Sequence, residues 1–377
     1  MLDNLLNREI VPLFLLGVYA FSFLVQQVFF WLIHFRLIRH RTPESKDNSQ
    51  GISVVICAHN EHHHLEENLP LVLEQDYPEY EVLVVNHMSD DDTHFLLNSL
   101  AGQYPHLNTI TIEEDLNFFT GKKFPLSIGI RSARYDRVLL TDADCRPVSK
   151  DWIRHMSSAF TKGREIVLGY GAYHREPGFL NRMIRFDTAQ IAMQYLSCAL
   201  AGIPYMGVGR NLAYRKEVFF RNQGFISHYR IRSGDDDLFI NRVAGRANTT
   251  ISVHPDSFTI SDPCKNWGAW ITQKRSHLST SHHYRFGHRL LLGLHAFSLF
   301  TFYTLLAVML ALGWSPIPVA GLFILRLASQ YIIFGGVFRR LNEKDIVPLM
   351  PLYEIVLLLF NAGLLISNQV RKPSRWK

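Results

Sequence analysis

The chain has 377 residues, of which 47% are hydrophobic and 19% are charged. This mixture excludes a chain embedded in the membrane throughout, and it is typical of one soluble domain of about 200 to 250 residues with several membrane helices. The formal charge of +6 does not indicate nucleic-acid binding, because Lys and Arg are spread along the chain and cluster mainly beside apolar segments, where anionic lipid headgroups would attract them.

The first element in the chain is an apolar run from Val11 to Ile33, 23 residues without a charged side chain. At about 1.5 Å per residue, a helix of this length crosses the roughly 30 Å hydrocarbon core of a bilayer. Basic residues follow it at Arg36, Arg39 and Arg41, which places the next segment in the cytoplasm. The sequence therefore predicts a transmembrane anchor over residues 1–35 and a linker over residues 36–50.

Strand and helix patterns alternate from Gly51 onward. The apolar patterns predict strands over residues 52–57, 81–85, 108–112 and 138–140, and helices over residues 60–75, 92–104 and 122–132. Such alternation is typical of an open α/β sheet with helices on both faces. We therefore expect one cytoplasmic α/β domain over residues 51–285.

Two carboxylates, Asp142 and Asp144, follow the apolar strand at residues 138–140. The carboxyl ends of strands in an α/β sheet meet at the crevice where ligands bind. Mg²⁺ and Mn²⁺ prefer oxygen ligands and commonly bind through one or two carboxylates together with phosphate oxygens. Taken alone, two acidic residues after a strand more often belong to a turn or a helix cap, and only the surrounding motifs favour a metal site.

Three more apolar runs, at residues 290–312, 317–338 and 349–367, predict two to three transmembrane helices within residues 286–377. The last run is shortened by Pro348, Pro351 and Glu354, and a spanning helix would place the basic tail at residues 371–377 outside. We therefore expect this run to be interfacial or re-entrant. Arg326 is costly in lipid and is expected to pack against a neighbouring helix.

Seven short motifs occur in an order that resembles glycosyltransferase family 2. They are Ala58 to Glu61 (AHNE), Asn86 to Thr93 (NHMSDDDT), Gly121 to Lys123 (GKK), Thr141 to Cys145 (TDADC), Gly207 to Tyr214 (GVGRNLAY), Ser233 to Leu238 (SGDDDL) and Gln273 to His277 (QKRSH). The resemblance covers residues 51 to 280. It implies a GT-A fold, which is a Rossmann-like mixed α/β sheet, and transfer of a sugar from a nucleotide-diphosphate donor with Mg²⁺ or Mn²⁺.

The resemblance also implies a role for each motif residue. Those expected to bind the donor are Ala58, Asn60, Glu61, Asn86, His87, Lys122, Lys123, Asp142 and Asp144, of which Asp142 and Asp144 would hold the metal. Those expected near the acceptor or the diphosphate are Arg210, Asn211, Gln273, Arg275 and His277.

Simpler interpretations stand beside several of these roles. Asn60 and Glu61 suit a helix N-terminus, and Lys122 with Lys123 suits a solvated surface pair equally well. Many relatives carry acidic residues where this chain has Asn86 and His87, so the base of the nucleotide stays open, with Asp90 or Asp91 as substitutes.

The acidic run Asp235, Asp236 and Asp237 is the candidate source of a catalytic base. An inverting transfer needs a group that takes the proton of the acceptor hydroxyl. The glutamate of the family motif is absent, so we choose Asp235 as the base and Asp236 as the second candidate. Adjacent carboxylates raise one another's pKa, and the alternative role for either residue is a helix N-cap.

Together these features predict a membrane-bound inverting glycosyltransferase whose catalytic domain faces the cytoplasm at the inner (plasma) membrane. Its expected partners are a nucleotide-sugar donor, membrane lipids and a lipid-linked or polysaccharide acceptor, with no nucleic acid. Trp267 and Trp270 fit a short helix on the membrane surface. One alternative is a processive polysaccharide synthase, disfavoured because Ser276 and His277 replace the Arg and Trp of a Gln-x-x-Arg-Trp element. Another is a catalytically silent scaffold.

Overall fold

The computed structural model describes residues 2–41, 50–114, 121–161, 163–231 and 233–370. The chain divides into two compact units, a helical unit of residues 1–40 and 285–362 and a globular unit of residues 41–284 and 363–377. Most of the predicted linker, residues 42–49, and the basic tail, residues 371–377, lie outside the described residues.

The helices in chain order are α1 (Leu2–Val28), α2 (Phe35–Arg39), α3 (His62–Leu73), α4 (Thr93–Gln103), α5 (Lys123–Ser132), α6 (Trp152–Ser158), α7 (Phe179–Leu200), α8 (Lys216–Arg221), α9 (Asp237–Val243), α10 (Trp267–Thr280), α11 (Phe286–Ala311), α12 (Pro316–Arg340) and α13 (Met350–Val370). A π-helical turn, Phe29–His34, joins α1 to α2, and short 3₁₀ turns include Gly209–Asn211 and Pro255–Ser257.

The strands in chain order are β1 (Ile52–Ala58), β2 (Tyr80–His87), β3 (Leu107–Ile112), β4 (Arg137–Asp142), β5 (Cys145–Pro147), β6 (Ile166–Leu168), β7 (Gly171–Tyr173), β8 (Leu212–Arg215), β9 (Thr249–Ile251) and β10 (Thr259–Ser261). The predicted strands and helices of the first half of the domain are confirmed, with ends that differ by at most a few residues.

The main sheet of the globular unit has the order β3-β2-β1-β4-β8-β6-β9. Strands β1 to β4 run parallel to one another, whereas β8 is antiparallel to both β4 and β6. The sheet is therefore mixed, as the GT-A resemblance implies. A second sheet of order β5-β10-β7 begins three residues after β4 ends, so both sheets meet beside the Asp142 to Cys145 segment.

Close packing of α5 on the sheet fixes the start of that helix near the carboxyl ends of the strands. Gly129 lies against β1 and β2, and a Cβ atom there would come within 2.6 Å of Cγ1 of Val55 and 3.0 Å of Cγ2 of Val85. A larger side chain would push the helix outward. Gly129 thereby helps to position Lys122 and Lys123 at the first turn of α5.

The prediction of a membrane-surface helix around residue 270 is only partly right. Helix α10 begins at Trp267, with the side chain of Asn266 accepting a hydrogen bond from the backbone amide of Ala269. The Trp267 side chain is exposed, but Trp270 is buried to 1% of its free accessibility. The indole of Trp270 therefore packs inside the globular unit and faces no headgroup region.

The helical unit supplies most of four segments that are long and apolar enough to cross a membrane. They are Ile10–Arg39, Phe286–Ala311, Pro316–Arg340 and Lys344–Ser367. Within this unit Tyr19, Phe302, Met309 and Val319 form a buried cluster, which joins α1, α11 and α12. The expectation that the last segment is interfacial or re-entrant stays a prediction.

Arg326 lies inside the helical unit with 0% of its surface exposed. Its guanidinium donates hydrogen bonds to Glu354 Oε2 at 2.6 Å, Gln26 Oε1 at 2.6 Å, and Tyr303 Oη and Gln330 Oε1 at 3.1 Å each. The prediction that Arg326 packs against neighbouring helices is confirmed.

Candidate functional site

The carboxyl ends of three parallel strands bring together motifs that are far apart in the sequence. In the register of the sheet, Ala58 at the end of β1 pairs with Asn86 on β2, and Cys57 pairs with Asp142 on β4. The loops that follow these strands therefore open at one edge. This is the edge at which α/β sheets of this kind bind ligands.

The loops after β1 and β2 hold each other in place through backbone amides. Asn60 adopts a left-handed conformation with φ of 58°, and its Oδ1 accepts a hydrogen bond from the Asp90 amide at 2.8 Å. The Asn60 amide donates to Ser89 Oγ at 2.9 Å, and the Glu61 amide donates to Thr93 Oγ1 at 3.2 Å. Asn60 and Glu61, which are predicted to bind the nucleotide-sugar donor, thus lie in two loops that hydrogen bonds hold together.

The side-chain oxygen of Asn86 is a buried hydrogen-bond acceptor without a partner in the described part of the chain. Its side chain is 2% exposed, and among the described residues its Oδ1 accepts no hydrogen bond. A buried polar atom without a partner costs about 1–3 kcal/mol, so a ligand donor at this position would remove a penalty. His87 follows it at the end of β2, where its carbonyl oxygen lies 2.7 Å from Nδ1 of His59.

Glu61 is engaged with a histidine on the first turn of α3. Its Oε2 lies 2.5 Å from Nδ1 of His64. Partial burial lowers the pKa of His64, but the hydrogen bond that its ring donates to Glu61 and the surrounding carboxylates outweigh burial and raise the pKa overall. Asp144 is one of those carboxylates, so Glu61, His64 and Asp144 belong to one electrostatic neighbourhood.

Asp142, Asp144 and Cys145 offer ligand atoms that all lie within 4.8 Å of one another. Burial and the charge of Asp142 raise the pKa of Asp144. Burial also raises the pKa of the Cys145 thiol, which donates a hydrogen bond to Asp144 Oδ1 at 3.4 Å. The donors available to an ion are therefore carboxylate oxygens, and they fit Mg²⁺ or Mn²⁺ better than a thiophilic metal.

Lys122 forms an ion pair with Asp142 at this edge. Burial opposes its charge, but Asp142 and Asp235 outweigh burial and raise the pKa of Lys122. Lys122 therefore places a permanent positive charge between the metal-ligand candidates and the candidate base.

Lys123, one residue later, is turned the other way and is 4% exposed. Its ammonium donates to the carbonyl oxygens of His228, Ile231 and Ser233 at 2.8, 2.5 and 2.8 Å. Three acceptors satisfy all three ammonium hydrogens. Lys123 therefore holds the segment that leads to Asp235, and burial lowers its pKa to about 8.

Arg210 lies on the 3₁₀ turn before β8, with its guanidinium 4.3 Å from the centre of the Tyr173 ring. Its Nη1 donates to Ser261 Oγ at 2.8 Å and to the Ala172 carbonyl at 3.2 Å. Burial opposes its charge, but Tyr173, Cys145, Asp144 and Asp142 outweigh burial and raise its pKa. Arg210 thus interacts electrostatically with the two carboxylates while its side chain is held by residues of the second sheet.

Asn211, the next residue, is fully buried and its amide is satisfied inside the protein. Its Nδ2 donates to the carbonyl oxygens of Tyr170 and Ser257 at 3.0 and 2.7 Å, and its Oδ1 accepts from Trp152 Nε1 at 3.1 Å. The neighbouring side chains therefore have different surroundings. Arg210 interacts with the charges of Asp142 and Asp144, whereas Asn211 connects α6 to the segments at Tyr170 and Ser257.

The QKRSH motif lies on α10, and its members point to different partners. Gln273 Nε2 donates to Tyr173 Oη at 3.1 Å, which joins the motif to the ring beneath Arg210. Arg275 Nη2 donates to Ser367 Oγ at 2.6 Å. The side chain of His277 lies outside the described residues.

The three aspartates before α9 have separate environments. Asp236 is the helix N-cap, and its two oxygens accept from the amides of Asp237 at 2.6 Å and Gly209 at 2.8 Å. Asp237 accepts hydrogen bonds from Thr280 Oγ1 at 2.5 Å and Tyr284 Oη at 2.8 Å. The capping role that the sequence allowed for either Asp235 or Asp236 falls to Asp236.

In the described part of the chain, Asp235 is the one of the three aspartates that neither caps α9 nor accepts a hydrogen bond from a hydroxyl group. Within the described part of the chain, its carboxylate accepts a hydrogen bond only from its own backbone amide. Burial and the neighbouring Asp236 raise its pKa to about 6, while Lys122 acts in the opposite direction. A carboxylate with this pKa is mostly ionised at neutral pH and is a stronger base than an ordinary aspartate.

Tyr173 is the site residue that sequence reasoning missed. It is 9% exposed and lies at the end of β7, a strand of three residues. It connects Gln273 to Arg210 through one hydrogen bond and one ring contact. No motif surrounds it, so pairing of β7 with β10 was needed to place it.

Comparisons with known proteins agree with this architecture. The model of the family described as "Glycosyl transferase family 21" matches residues 15–371. The motifs predicted a glycosyltransferase, which this match confirms, although family 21 differs from the family 2 that the motifs resemble.

A solved structure, the mannosyltransferase PcManGT from Pyrobaculum calidifontis in complex with GDP-Man and Mn²⁺, superposes with a TM-score of 0.58 at 19% identity. The superposition covers 93% of this chain and 99% of that one. At this identity the likeness shows a shared fold, and the predicted GT-A architecture is confirmed.

Curated relatives match a shorter stretch. The poly-β-1,6-N-acetyl-D-glucosamine synthase of Staphylococcus aureus strain COL is 30% identical over 117 residues, which is 31% of this chain and 27% of that protein. The synthase of the same name from Staphylococcus epidermidis (strain ATCC 35984) is 26% identical over 144 residues, which is 38% of this chain and 34% of that protein. The chain thus spans about a third of these relatives or less.

Proposed function

Because the chain belongs to glycosyl transferase family 21, we propose that it transfers a sugar from a nucleotide-diphosphate donor to an acceptor at the membrane, with inversion at the anomeric carbon. One observation carries the proposal: the carboxylates Asp142 and Asp144, the cations Lys122 and Arg210, and the raised-pKa aspartate Asp235 share one sheet edge. A diphosphate leaving group needs cations, and the attacking hydroxyl needs a base.

Asp142 and Asp144 are the residues that would hold a divalent cation at this edge. A bound Mg²⁺ or Mn²⁺ would act as a Lewis acid on the diphosphate oxygens. The partly buried, like-charged carboxylates fit such an ion, because desolvation and the charge of Asp142 raise the pKa of Asp144 and make its ionised form costly without a cation. The structural relative that binds Mn²⁺ together with a nucleotide sugar supports the same choice of metal.

Arg210 and Lys122 would meet the negative charge of the diphosphate from two sides. Arg210 is fixed by Tyr173 and by Ser261, so its guanidinium is already oriented before a ligand arrives. Lys122 neutralises Asp142 in the absence of a ligand. Preorganised positive charge at the leaving group contributes more to the rate than charge that must reorganise.

Asp235 would take the proton of the acceptor hydroxyl as its oxygen attacks the anomeric carbon. Asp236 and Asp237 are occupied by backbone and hydroxyl donors, so neither has the freedom of Asp235. The loop that carries Asp235 is held from below by Lys123 through three carbonyl oxygens. The candidate base is therefore held by a structured loop.

Asn60, Glu61, Asn86 and His87 would meet the nucleoside at the ends of β1 and β2. The unused Oδ1 of Asn86 suits a donor group on a base or a ribose. This assignment leaves the nucleotide unspecified.

The acceptor is proposed to be lipid-linked or a growing polysaccharide. Four helices that are long and apolar enough to cross a membrane support this proposal, and the first and third of these segments end at Arg39 and Arg340. The positive-inside tendency then favours a multi-pass protein whose globular unit faces the cytoplasm of the inner membrane. Because this placement rests on charge asymmetry alone, protease accessibility in inverted vesicles is the direct check.

A second candidate function is processive polysaccharide synthesis. The curated relatives are named as synthases of a polymer, which favours it, whereas Gln273 is the only residue of the Gln-x-x-Arg-Trp element that this chain keeps in place. Analysis of product length separates the two, since a single-sugar transferase gives one product and a processive enzyme gives a ladder.

The test of the proposed function is a binding and turnover panel on the full chain in detergent. Nucleotide sugars are titrated by thermal shift with and without Mn²⁺, and sugar transfer to membrane lipid extract is followed. One nucleotide sugar is expected to raise the melting temperature only when Mn²⁺ is present.

The variant Asp142→Asn with Asp144→Asn should abolish that shift. Asp136→Asn is the matched control, because Asp136 pairs with Arg215 at the surface with 53% of its side chain exposed. If no nucleotide sugar binds, or if the double variant binds and turns over as the parent does, the proposal is wrong.

A further inference from the structure

A second group of metal-ligand side chains lies away from the Asp142 edge, on α6 and on the 3₁₀ turn Pro255–Ser257. It consists of His155, His254 and Asp256, whose ligand atoms all lie within 4.8 Å of one another. The imidazoles of His155 and His254 are stacked, with ring centres 3.9 Å apart and planes 15° from parallel. We call these three residues the histidine-pair cluster.

The ligand atoms of this cluster differ from those of Asp142 and Asp144 at the carboxyl-terminal edge of the main sheet, which we call the donor edge. Two imidazoles and one carboxylate are the ligand set that zinc-type transition metals select, whereas Mg²⁺ and Ca²⁺ prefer oxygen. The Asp256 Oδ2 atom lies 3.5 Å from His254 Nδ1 and 4.0 Å from His155 Nε2. Ligand atoms around a tetrahedral zinc ion are about 3.3 Å apart. Because the three ligand atoms lie within 4.8 Å of one another, the cluster needs to contract by about 1.5 Å at most.

The side chains have the freedom for that contraction. The exposed fractions are 20% for His155, 41% for His254 and 45% for Asp256. Lone pairs of stacked rings point side by side, so one ring must turn before both can meet a single ion. His254 is the more exposed of the two rings, and its turning would replace the 3.3 Å hydrogen bond that its Nδ1 accepts from the Asp256 amide by a bond to the ion.

The two elements that carry the cluster are already joined beneath it by the buried Asn211. Trp152 on α6 donates to Asn211 Oδ1, and Asn211 donates to the carbonyl of Ser257 in the turn. The next strand, β10, contributes Thr259, whose Oγ1 donates to the carbonyl of Arg210 at 2.9 Å. An ion on the cluster would therefore further restrain α6 and the Pro255–Ser257 turn, which are joined to the segment that carries Arg210.

We propose that His155, His254 and Asp256 bind a divalent transition-metal ion of the zinc class, which clamps α6 to the Pro255–Ser257 turn. The cluster shares no residue with the group formed by Asp142, Asp144 and Cys145, so we expect the ion to act on the packing of α6 and the turn. This inference does not depend on the proposed transfer reaction, and it would hold for a chain without activity. An ordinary ring stack beside a carboxylate is the alternative that an experiment must exclude.

The test uses the full chain in detergent, freed of metal with a chelator and then titrated with Zn²⁺ or Co²⁺. The background is the variant Asp142→Asn with Asp144→Asn, so that the donor edge does not contribute. Binding of one ion per chain is expected, with a melting temperature that rises by several degrees at a hundredfold excess over the Kd. Bound Co²⁺ should give the visible absorption of a nitrogen and oxygen site.

The variants that decide the proposal are His254→Asn and His155→Asn, each expected to weaken Zn²⁺ binding at least tenfold. His63→Asn is the matched control, because His63 is 77% exposed beside Glu67 and lies outside the cluster. Should one variant fail to fold, Asp256→Asn replaces it with the same expectation. Absence of stoichiometric binding, or binding that the cluster variants leave unchanged, would overturn the proposal.

Discussion

Buried charges occur in both units of this protein, and the two units treat them in opposite ways. In the helical unit, Arg326 is matched by Glu354 and by neutral acceptors, so each nitrogen of the guanidinium has a partner. At the edge of the main sheet, the partly buried carboxylates of Asp142, Asp144 and Asp235 are gathered, with the cations Lys122 and Arg210 beside them.

The two arrangements of charge have different effects on the stability of the fold. A paired and saturated charge serves the packing of helices, and removing one partner exposes the other to the full cost of burial. Like charges held together raise each other's pKa and cost stability. Departures of this kind are expected at functional sites, and they support the proposed site at the sheet edge independently of any motif.

The largest expected effect is that of Asp235→Asn, which removes the candidate base. Loss of a general base typically costs 10²–10⁴-fold in rate, so we expect kcat for sugar transfer to fall by about that factor, with nucleotide-sugar affinity kept within a few fold. Asp136→Asn serves again as the surface control, measured in the same transfer assay. A variant with more than a tenth of the parent kcat would assign the proton transfer to another group.

The opposite behaviour is expected of Arg326→Leu in the helical unit. Breaking one partner of a buried ion pair costs about 3–5 kcal/mol, because Glu354 is left buried at 3% exposure. The double variant Arg326→Leu with Glu354→Leu should be more stable than Arg326→Leu alone. Unfolding in detergent measures the parent, Arg326→Leu and the double variant, and a double variant no more stable than Arg326→Leu would contradict the expected cost of leaving Glu354 unpaired.

The pH dependence of the reaction follows from the raised pKa of Asp235. The base must be ionised, so kcat should fall by about tenfold between pH 7 and pH 5, with a midpoint near the pKa of about 6. A profile that stays flat down to pH 5 would exclude Asp235 as the titrating base.

Stability should change in the other direction over the same window. The pKa of Asp235 in the folded chain lies above its ordinary value of 3.8, so the native state binds the proton more tightly than the unfolded state does. Stability therefore falls as the pH rises from about 4 to about 6. Thermal unfolding of Asp235→Asn should show a smaller fall, because one ionisation cost is gone.

Sequence patterns predicted the parts of the site that rest on local periodicity. Strands β1, β2 and β4, and the carboxylates Asp142 and Asp144 at the end of β4, followed from apolar runs that stop at polar residues, because a buried parallel strand is apolar throughout. Separating Asp235 from Asp236 required the approach of the Gly209 amide, 27 residues away in the chain.

The remaining differences have the same origin. The neighbouring lysines Lys122 and Lys123 look alike in sequence, but the helix turns them in different directions, so that Lys122 meets Asp142 and Lys123 meets three carbonyl groups. Trp270 fitted a headgroup-facing helix by composition, yet tertiary packing buries it. Contacts between distant segments decided each case, and single-sequence patterns do not contain them.

Tyr173 gives the smallest and most diagnostic expected effect. A cation–π contact contributes about 1 kcal/mol, so Tyr173→Leu should raise the KM for the nucleotide sugar by about fivefold through loss of the Arg210 orientation. Tyr173→Phe keeps the ring under Arg210 and loses only the acceptor for Gln273, so its KM should stay nearer the parent value. Equal losses in both variants would mean that the hydroxyl matters more than the ring, and that Gln273 positions the site through it.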